Sequence, residues 1–446
     1  MASRSLPLHW RIFIGLVAGL VVGLAINVLA PSIEAFVGEE GLLRSSVDFL
    51  VALNGFVGDL FLRALRFIAV PIVLFSLIGG ASSLSDLTKL GRIGGRTVLI
   101  YVGTTSLSIT IGLLLADIVH PGHFVSAEVR DQMALQGTAE ALVRMDRAAA
   151  PDLWSTLLEI VPTNPAEALA EGRMLQIVFL ALVIGIGLAR IDPEKARPII
   201  AFFDGLTDVI LGVVEAIMKI APFAVFSLLV EVLASMGLDV LGALIVYSAV
   251  VIGGLAMMVF GVYPLILRLV TGRKMSSFLA AIAPAQLLAF SSSSSSATLP
   301  VTLDCVEKRL GVEEEVSSFV VPLGATINMD GTALYQGVAA LFIAQLYGIE
   351  LGIEQQLTIV LTATLASIGT AGVPGVGLVM LIIVLQSVGL SPEIMASGIA
   401  IIFGVDRVLD MCRTTCNVTG DCMVAAVVGA LEEKREGGSG SSSSAG

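Results

Sequence analysis

Residues 406–421 read DRVLDMCRTTCNVTGD, which sets carboxylates, a guanidinium and an amide inside an otherwise apolar segment. At about 100° per residue, Asp406, Asp410, Arg413, Thr414, Asn417 and Asp421 fall on one stripe of a helix, with Met411, Cys412, Cys416 and Cys422 elsewhere. A charge at the centre of a bilayer costs roughly 2.5–3.5 kcal/mol on insertion scales, so a stripe of this kind marks a working site. The chemistry it offers is recognition by charge and hydrogen bonding. No covalent step is implied, because a nucleophile in the six-serine run would need a base and the histidines, His9, His120 and His123, all lie outside this half of the chain.

The elements that carry this stripe belong to a membrane protein. The 446 residues are 56% hydrophobic and only 14% charged, with a mean hydropathy of +0.95, whereas soluble chains carry nearer to about 25% charge. Apolar runs of spanning length occur around residues 10–30, 49–80, 98–119, 174–189, 199–235, 240–270, 316–347, 357–388 and 394–430, several broken by glycine, proline or polar residues. The first run lacks a small-residue cleavage signature and reads as an uncleaved span. Basic residues gather in short connections: Lys89, Arg92 and Arg96; Arg190, Lys195 and Arg197; Arg268, Arg273 and Lys274; Lys308 and Arg309; Lys434 and Arg435. Acids such as Glu34, Glu39, Glu40, Glu350 and Glu354 occupy the alternate ones, so the positive-inside rule predicts that both termini are cytoplasmic. The net charge of −12 speaks against a nucleic-acid partner.

Two interruptions in the C-terminal half form a pair. The first, Ser291 to Pro300, is a polar run between two apolar arms too short to span separately. The second, Ser367 to Gly377, carries glycines and a proline that leave backbone groups free as ligands. Irregular backbone at membrane depth is tolerated only inside protein or beside a water-filled cavity, and paired broken segments point to a transporter binding site. Each tip precedes a span with its own polar break, residues 328–332 after the first and the charged stripe after the second.

The serine run ending in Thr298-Leu299-Pro300, the Asn328-Met329-Asp330-Gly331-Thr332 motif, the Gly-Thr-Ala-Gly-Val-Pro-Gly run at 369–375 and the Asp410, Arg413-Thr414, Asn417, Gly420-Asp421 pattern together resemble the glutamate/aspartate transporters of the dicarboxylate/amino acid:cation symporter family. The resemblance implies an all-α polytopic membrane protein of the plasma (inner) membrane with about eight transmembrane helices and two re-entrant helical hairpins. It further implies inverted repeats, a homotrimer, and a scaffold against which a mobile transport domain slides like an elevator. On that plan residues 1–85 and 154–236 are scaffold, 86–119 and 237–434 are transport domain with hairpins near 275–308 and 353–388, 120–153 is an extracellular loop, and 435–446 is a disordered tail.

An acidic amino acid carries two carboxylates and an ammonium, and the stripe can meet all three. Arg413 suits the distal carboxylate in a bidentate grip, Asp410 the ammonium with help from Thr414, and Asn417 with backbone amides of the serine tip the α-carboxylate. The other reading of Asp410 and Arg413 is a plain buried ion pair. The resemblance carries the binding roles onto these four residues, adds Thr332 and Ser295, and places Gly377 at the second tip as a lid element.

Charge balance calls for co-transported cations. Asp330 and Asp421 stand beside amides and bare carbonyls, an all-oxygen setting suited to sodium. By resemblance one sodium site uses Gly324, Asn328, Asn417 and Asp421, a second Thr326, Met329, Ser367, Ile368 and Thr370, and a third Tyr101, Thr104, Thr105, Asn328 and Asp330. No organic cofactor is implied. Members that carry protons and exchange potassium have a glutamate where this chain has Gln336, which favours coupling to sodium alone. Ser293 and Met411 stand where members often place an extra arginine. The expected function is therefore sodium-driven symport of aspartate or glutamate, the alternatives being an anion channel or a C4-dicarboxylate carrier. His120 and His123 read as a surface loop, and Cys305, Cys412, Cys416 and Cys422 as packing residues rather than disulfides.

Overall fold

A computed structural model describes residues 8–37, 42–83, 92–125, 158, 161–236, 239–367, 372 and 374–440. Described residues form helices and no strands: α1 (Leu8–Val37), α2 (Leu42–Ser83), α3 (Arg92–Val119), α4 (Pro165–Glu171), α5 (Met174–Arg190), α6 (Pro193–Met236), α7 (Asp239–Met257), α8 (Tyr263–Thr271), α9 (Met275–Ser292), α10 (Ser295–Asp304), α11 (Glu314–Ile327), α12 (Asp330–Leu346), α13 (Ile353–Ser367), α14 (Val376–Ser387) and α15 (Pro392–Gly440). Among them four stretches are long and apolar enough to cross a membrane: Trp10–Leu29, Ile93–His123, Val240–Thr271 and Met275–Ser292. The bent pair Pro193–Ile217 and Lys219–Glu231 makes up to five. The chain is thus an integral membrane protein built from helices.

Two sets of helices pack mainly among themselves. In one, α1 and α2 lie along α6, and α2 also along α5. In the other, α12 is surrounded by α3, α7 and α13–α15, while α15 also packs on α8, α9 and α11. Every residue of α12 is buried, as fits a helix enclosed by others on all sides. The sets meet where α15 crosses α6 and α14 reaches α2 and α5, with Phe61 and Phe403 edge to face at 4.9 Å.

Proline lies inside α2 (Pro71), α6 (Pro198 and Pro222), α9 (Pro284), α10 (Pro300) and α11 (Pro322). Such prolines survive in membrane bundles because neighbouring helices stabilise the locally freed backbone groups. The six-serine run turns the chain by a local mechanism. Ser293 takes a left-handed conformation at φ 53° and ends α9, its N–H donating to Ala289 O at 2.9 Å. Ser294 then caps α10, its Oγ accepting from Ala297 N at 3.1 Å. Serine serves in both places because its short polar side chain competes with helix hydrogen bonding and satisfies an exposed N–H.

Candidate functional site

The charged stripe is buried, as its spacing requires. Arg413 is fully enclosed, and Asp406, Asp410, Thr414, Asn417 and Asp421 are buried beside it. Cys416 and Cys422 off the stripe are buried too, while Val408, Met411, Cys412 and Thr415 leave one face of α15 partly open. The four cysteines are free thiols.

Arg413 is neutralised by its own helix. Its Nη1 donates to Asp406 Oδ1 at 2.9 Å and its Nη2 to Asp410 Oδ1 at 2.8 Å, while the guanidinium carbon stands 3.9 Å above the Tyr335 ring centroid. The ion-pair alternative for Arg413 is therefore realised in this conformation, with Asp406 as a partner as well as Asp410. A buried guanidinium without such partners would be very costly. The group is nonetheless not walled off from the second tip, since a Cβ on Gly377 would stand 3.3 Å from Arg413 Cζ and from Thr332 Cγ2. Asp410 Oδ2 points the same way and accepts from Gly375 N at 3.3 Å.

The two tips touch. Ser294 Oγ donates to Gly372 O at 2.7 Å and Ser296 N to the same oxygen at 3.2 Å. Gly372 has no room for a side chain there, because a Cβ would come within 2.9 Å of Ala325 O and 3.0 Å of Ser295 Cβ. Ser295, the predicted tip ligand, is buried in this contact.

Next to Arg413 the break between α11 and α12 locks onto the polar stripe of α15, which runs through as an unbroken helix. Asn417 Oδ1 accepts from Gly331 N at 2.8 Å, and its Nδ2 faces Met329 Sδ at 3.2 Å and Thr332 Oγ1 at 3.4 Å. An amide thus satisfies one of the unpaired N–H groups at the start of α12. Asn328 Nδ2 donates to Asp421 Oδ1 at 2.8 Å, and Asn328 Oδ1 is buried with no hydrogen-bond partner. Gly324 permits the approach, because a Cβ there would run into Asp421 Oδ1 and Tyr101 Oη. Asp330 accepts from Thr105 Oγ1 at 2.6 Å and from Tyr263 Oη at 2.7 Å. An orphaned amide oxygen on a side chain that bonds Asp421 is the kind of oxygen donor that suits a hard cation.

The remaining predicted ligands are more scattered. Thr104 Oγ1 donates to Tyr101 O, Thr326 Oγ1 to Leu323 O, and Ser367 Oγ to Thr364 O, each bonding back onto its own helix. Ile368 and Thr370 lie outside the described residues, as do much of the 120–153 loop and the end of the tail. His120 and His123 are exposed and stack at 5.1 Å on a short turn. Among the described residues no group of three or more His, Cys, Asp or Glu side chains is arranged to hold a metal ion.

Three participants escape sequence reasoning in different ways. Asp406 shares the stripe but carries no assigned role, although a spacing of seven from Arg413 marks the same helical face. Tyr335, three residues after Thr332, shares that residue's face of α12. Tyr263 comes from a distant helix and leaves no local signal.

A buried charged stripe beside touching breaks between helices, inside an all-helical membrane bundle, has the makings of a secondary transporter, a class that catalyses no covalent reaction. Residues 8–431 match the model of the Sodium:dicarboxylate symporter family. The chain belongs to that family. Similar proteins include the proton/sodium-glutamate symport protein of Bacillus caldotenax, 36% identical over 431 residues, covering 96% of this chain and 95% of the relative. The proton/glutamate-aspartate symporter of Escherichia coli (strain K12) is 33% identical over 442 residues, covering 97% and 95%. Excitatory amino acid transporter 3 of Homo sapiens is 33% identical over 477 residues, covering 97% and 87%.

Proposed function

We infer that the protein couples sodium to the uptake of an acidic amino acid, aspartate or glutamate. The observation that carries this reading is the fully buried Arg413, held by two carboxylates on one side and lying against Gly377 and Thr332 on the other. On this reading Arg413 exchanges carboxylate partners. An arriving side-chain carboxylate takes Arg413 away from Asp410, and Asp410, once released, accepts the α-ammonium. Thr414, Asn417, Thr332 and backbone amides beside Ser295 complete the grip, and Gly377 moves with the second tip as a lid. Because one carboxylate replaces another on Arg413, neither the empty nor the loaded state strands a buried charge.

Sodium supplies the balance. Among the described residues, four buried carboxylates, Asp330, Asp406, Asp410 and Asp421, lie in the region of two guanidinium groups, Arg413 and Arg407. The excess negative charge supports binding of monovalent cations near Asn328, Asp421 and Gly324, and near Asp330, Thr105 and Tyr101. A further site would draw on Thr326, Met329, Ser367, Ile368 and Thr370. Gln336 in place of a titratable residue favours sodium coupling without proton or potassium movement, although the bacterial relatives named above have protons in their names.

The two packing sets of helices support a division into a fixed scaffold (residues 1–85 and 154–236) and a moving unit (86–119 and 237–434) that slides as an elevator. The turn at Ser293–Ser294 and the break before Gly375 are read as the tips of two re-entrant hairpins in inverted repeats, within about eight spans. A homotrimer with cytoplasmic termini in the plasma membrane completes the proposal. Uptake of labelled aspartate into vesicles carrying the purified protein tests the reading. Saturable accumulation that collapses without a sodium gradient is expected. Ion flux without substrate accumulation would favour the channel alternative, and equal competition by succinate the C4-dicarboxylate alternative.

A further inference from the structure

A second guanidinium reaches the same carboxylate from the other side. Arg407 lies one turn before Asp410 on α15, and its Nη1 stands 3.7 Å from Asp410 Oδ2. That distance is an ion pair without a hydrogen bond. The side chain is only 14% exposed, and its Nε and Nη1 are buried with no hydrogen-bond acceptor. Buried guanidinium N–H groups normally find partners, so two orphans on one side chain mark a group held ready for something rather than a satisfied structural bridge.

The geometry around Asp410 says what that is. Its two oxygens face different ways: Oδ1 takes Arg413 Nη2 at 2.8 Å, whereas Oδ2 takes Gly375 N at 3.3 Å and looks toward Arg407. We propose that Arg407 is a positioning residue for substrate recognition, holding Asp410 by Oδ2 so that Oδ1, once Arg413 lets go, is presented to the α-ammonium. This rests on the reading of Arg413 and Asp410 given above.

The exchange on Arg413 has a cost that a lone arginine cannot meet. As Arg413 turns to the incoming carboxylate, Asp410 loses its hydrogen-bonded cation before the ammonium has arrived, and a buried carboxylate without a countercharge is strongly disfavoured. Arg407 keeps a positive charge within ion-pair distance throughout. Its free N–H groups can close the 3.7 Å gap to Oδ2 by a small side-chain rotation. Without Arg407, Asp410 would cling to Arg413 and compete with the substrate carboxylate.

The test uses the full chain in vesicles and in purified form, with aspartate as substrate and sodium saturating. Arg407→Gln is expected to raise KM about tenfold with Vmax largely kept, since the defect lies in loading rather than in movement. Arg407→Lys, which restores the charge, should bring KM back to within about threefold of the parent. Thermal stabilisation by sodium alone should match the parent in both variants. Arg407→Met, which keeps the apolar stem, replaces the glutamine variant if that fails to assemble, with the same rise expected. An unchanged KM in the neutral variants would overturn the proposal. So would a lysine variant as impaired as the glutamine one, or a charge requirement for assembly itself, each of which indicates a packing or structural role. If the parent shows no sodium-dependent aspartate uptake, the functional reading has failed rather than this one.

Discussion

Replacing Asp421 by asparagine isolates the link between cation and substrate. Asp421 is 2% exposed and its Oδ1 accepts from the neutral amide of Asn328 at 2.8 Å, so the carboxylate charge is available to a cation rather than spent on a protein partner. Two unit charges about 4 Å apart attract by about 4 kcal/mol at an effective dielectric of about 20. Asparagine keeps an oxygen ligand and a dipole, so about half of that should be lost, roughly 2 kcal/mol, which is about 30-fold in sodium affinity. Reciprocity then fixes a second result: at low sodium the apparent aspartate affinity falls with sodium occupancy, and at saturating sodium it recovers. The fold should not suffer. Asparagine is nearly the same size and removes a buried charge, so the sodium-free melting temperature of Asp421→Asn should equal or exceed that of the parent. The assay is aspartate binding to purified protein by calorimetry across a series of sodium concentrations. A variant whose sodium dependence matches the parent, or whose aspartate affinity is reduced equally at every sodium concentration, would refute the assignment of Asp421 to a cation site.

Further outcomes follow from the same geometry. Arg413→Cys should abolish aspartate binding and admit small neutral amino acids, because the cation aimed at the distal carboxylate is gone and Asp410 is left to the ammonium; competition assays with serine and cysteine read this directly, and retained aspartate affinity would contradict it. Gly324→Ala drives a methyl group into Asp421 Oδ1 and Tyr101 Oη, so sodium affinity should fall by at least about tenfold while Gly103→Ala, which meets open space, leaves it unchanged; an overpacked site of this kind costs about 1–3 kcal/mol. With Gln336 at its buried position on α12, uptake should move no protons, and a pH dye inside the vesicles should stay constant during sodium-driven transport. Acidification that tracks aspartate entry would show that proton coupling does not depend on a titratable side chain at this position.

How much of this was legible in the sequence depends on distance along the chain. The stripe from Asp406 to Asp421 reads directly from helical spacing, and so does its burial, because charge inside an apolar run must face protein. The break in the serine run was legible as well, from a polar stretch between apolar arms too short to span separately, but the left-handed Ser293 and the capping Ser294 that make the turn were not. Pairing across the fold was not. Nothing near Asp330 announces Tyr263, 67 positions earlier, and nothing near Ser294 announces Gly372 O as its partner. The ionic state of Arg413 was also ambiguous, since the spacing that presents it to a ligand equally presents it to Asp406. Thr104, Thr326 and Ser367 have the residue types of cation ligands, yet their hydroxyls are turned to their own helix carbonyls, a rotamer choice that sequence does not encode.

Recognition depends on Arg413 changing partners, from Asp410 to a carboxylate brought in from outside. The most direct measurement is thermal stabilisation of the purified protein by aspartate and by an equally sized neutral analogue, asparagine, each in sodium. Aspartate should stabilise the parent by several degrees and asparagine hardly at all, with the preference lost or reversed in Arg413→Cys. Equal stabilisation of the parent by both compounds would mean that the guanidinium stays with Asp406 and Asp410 throughout and takes no part in recognition.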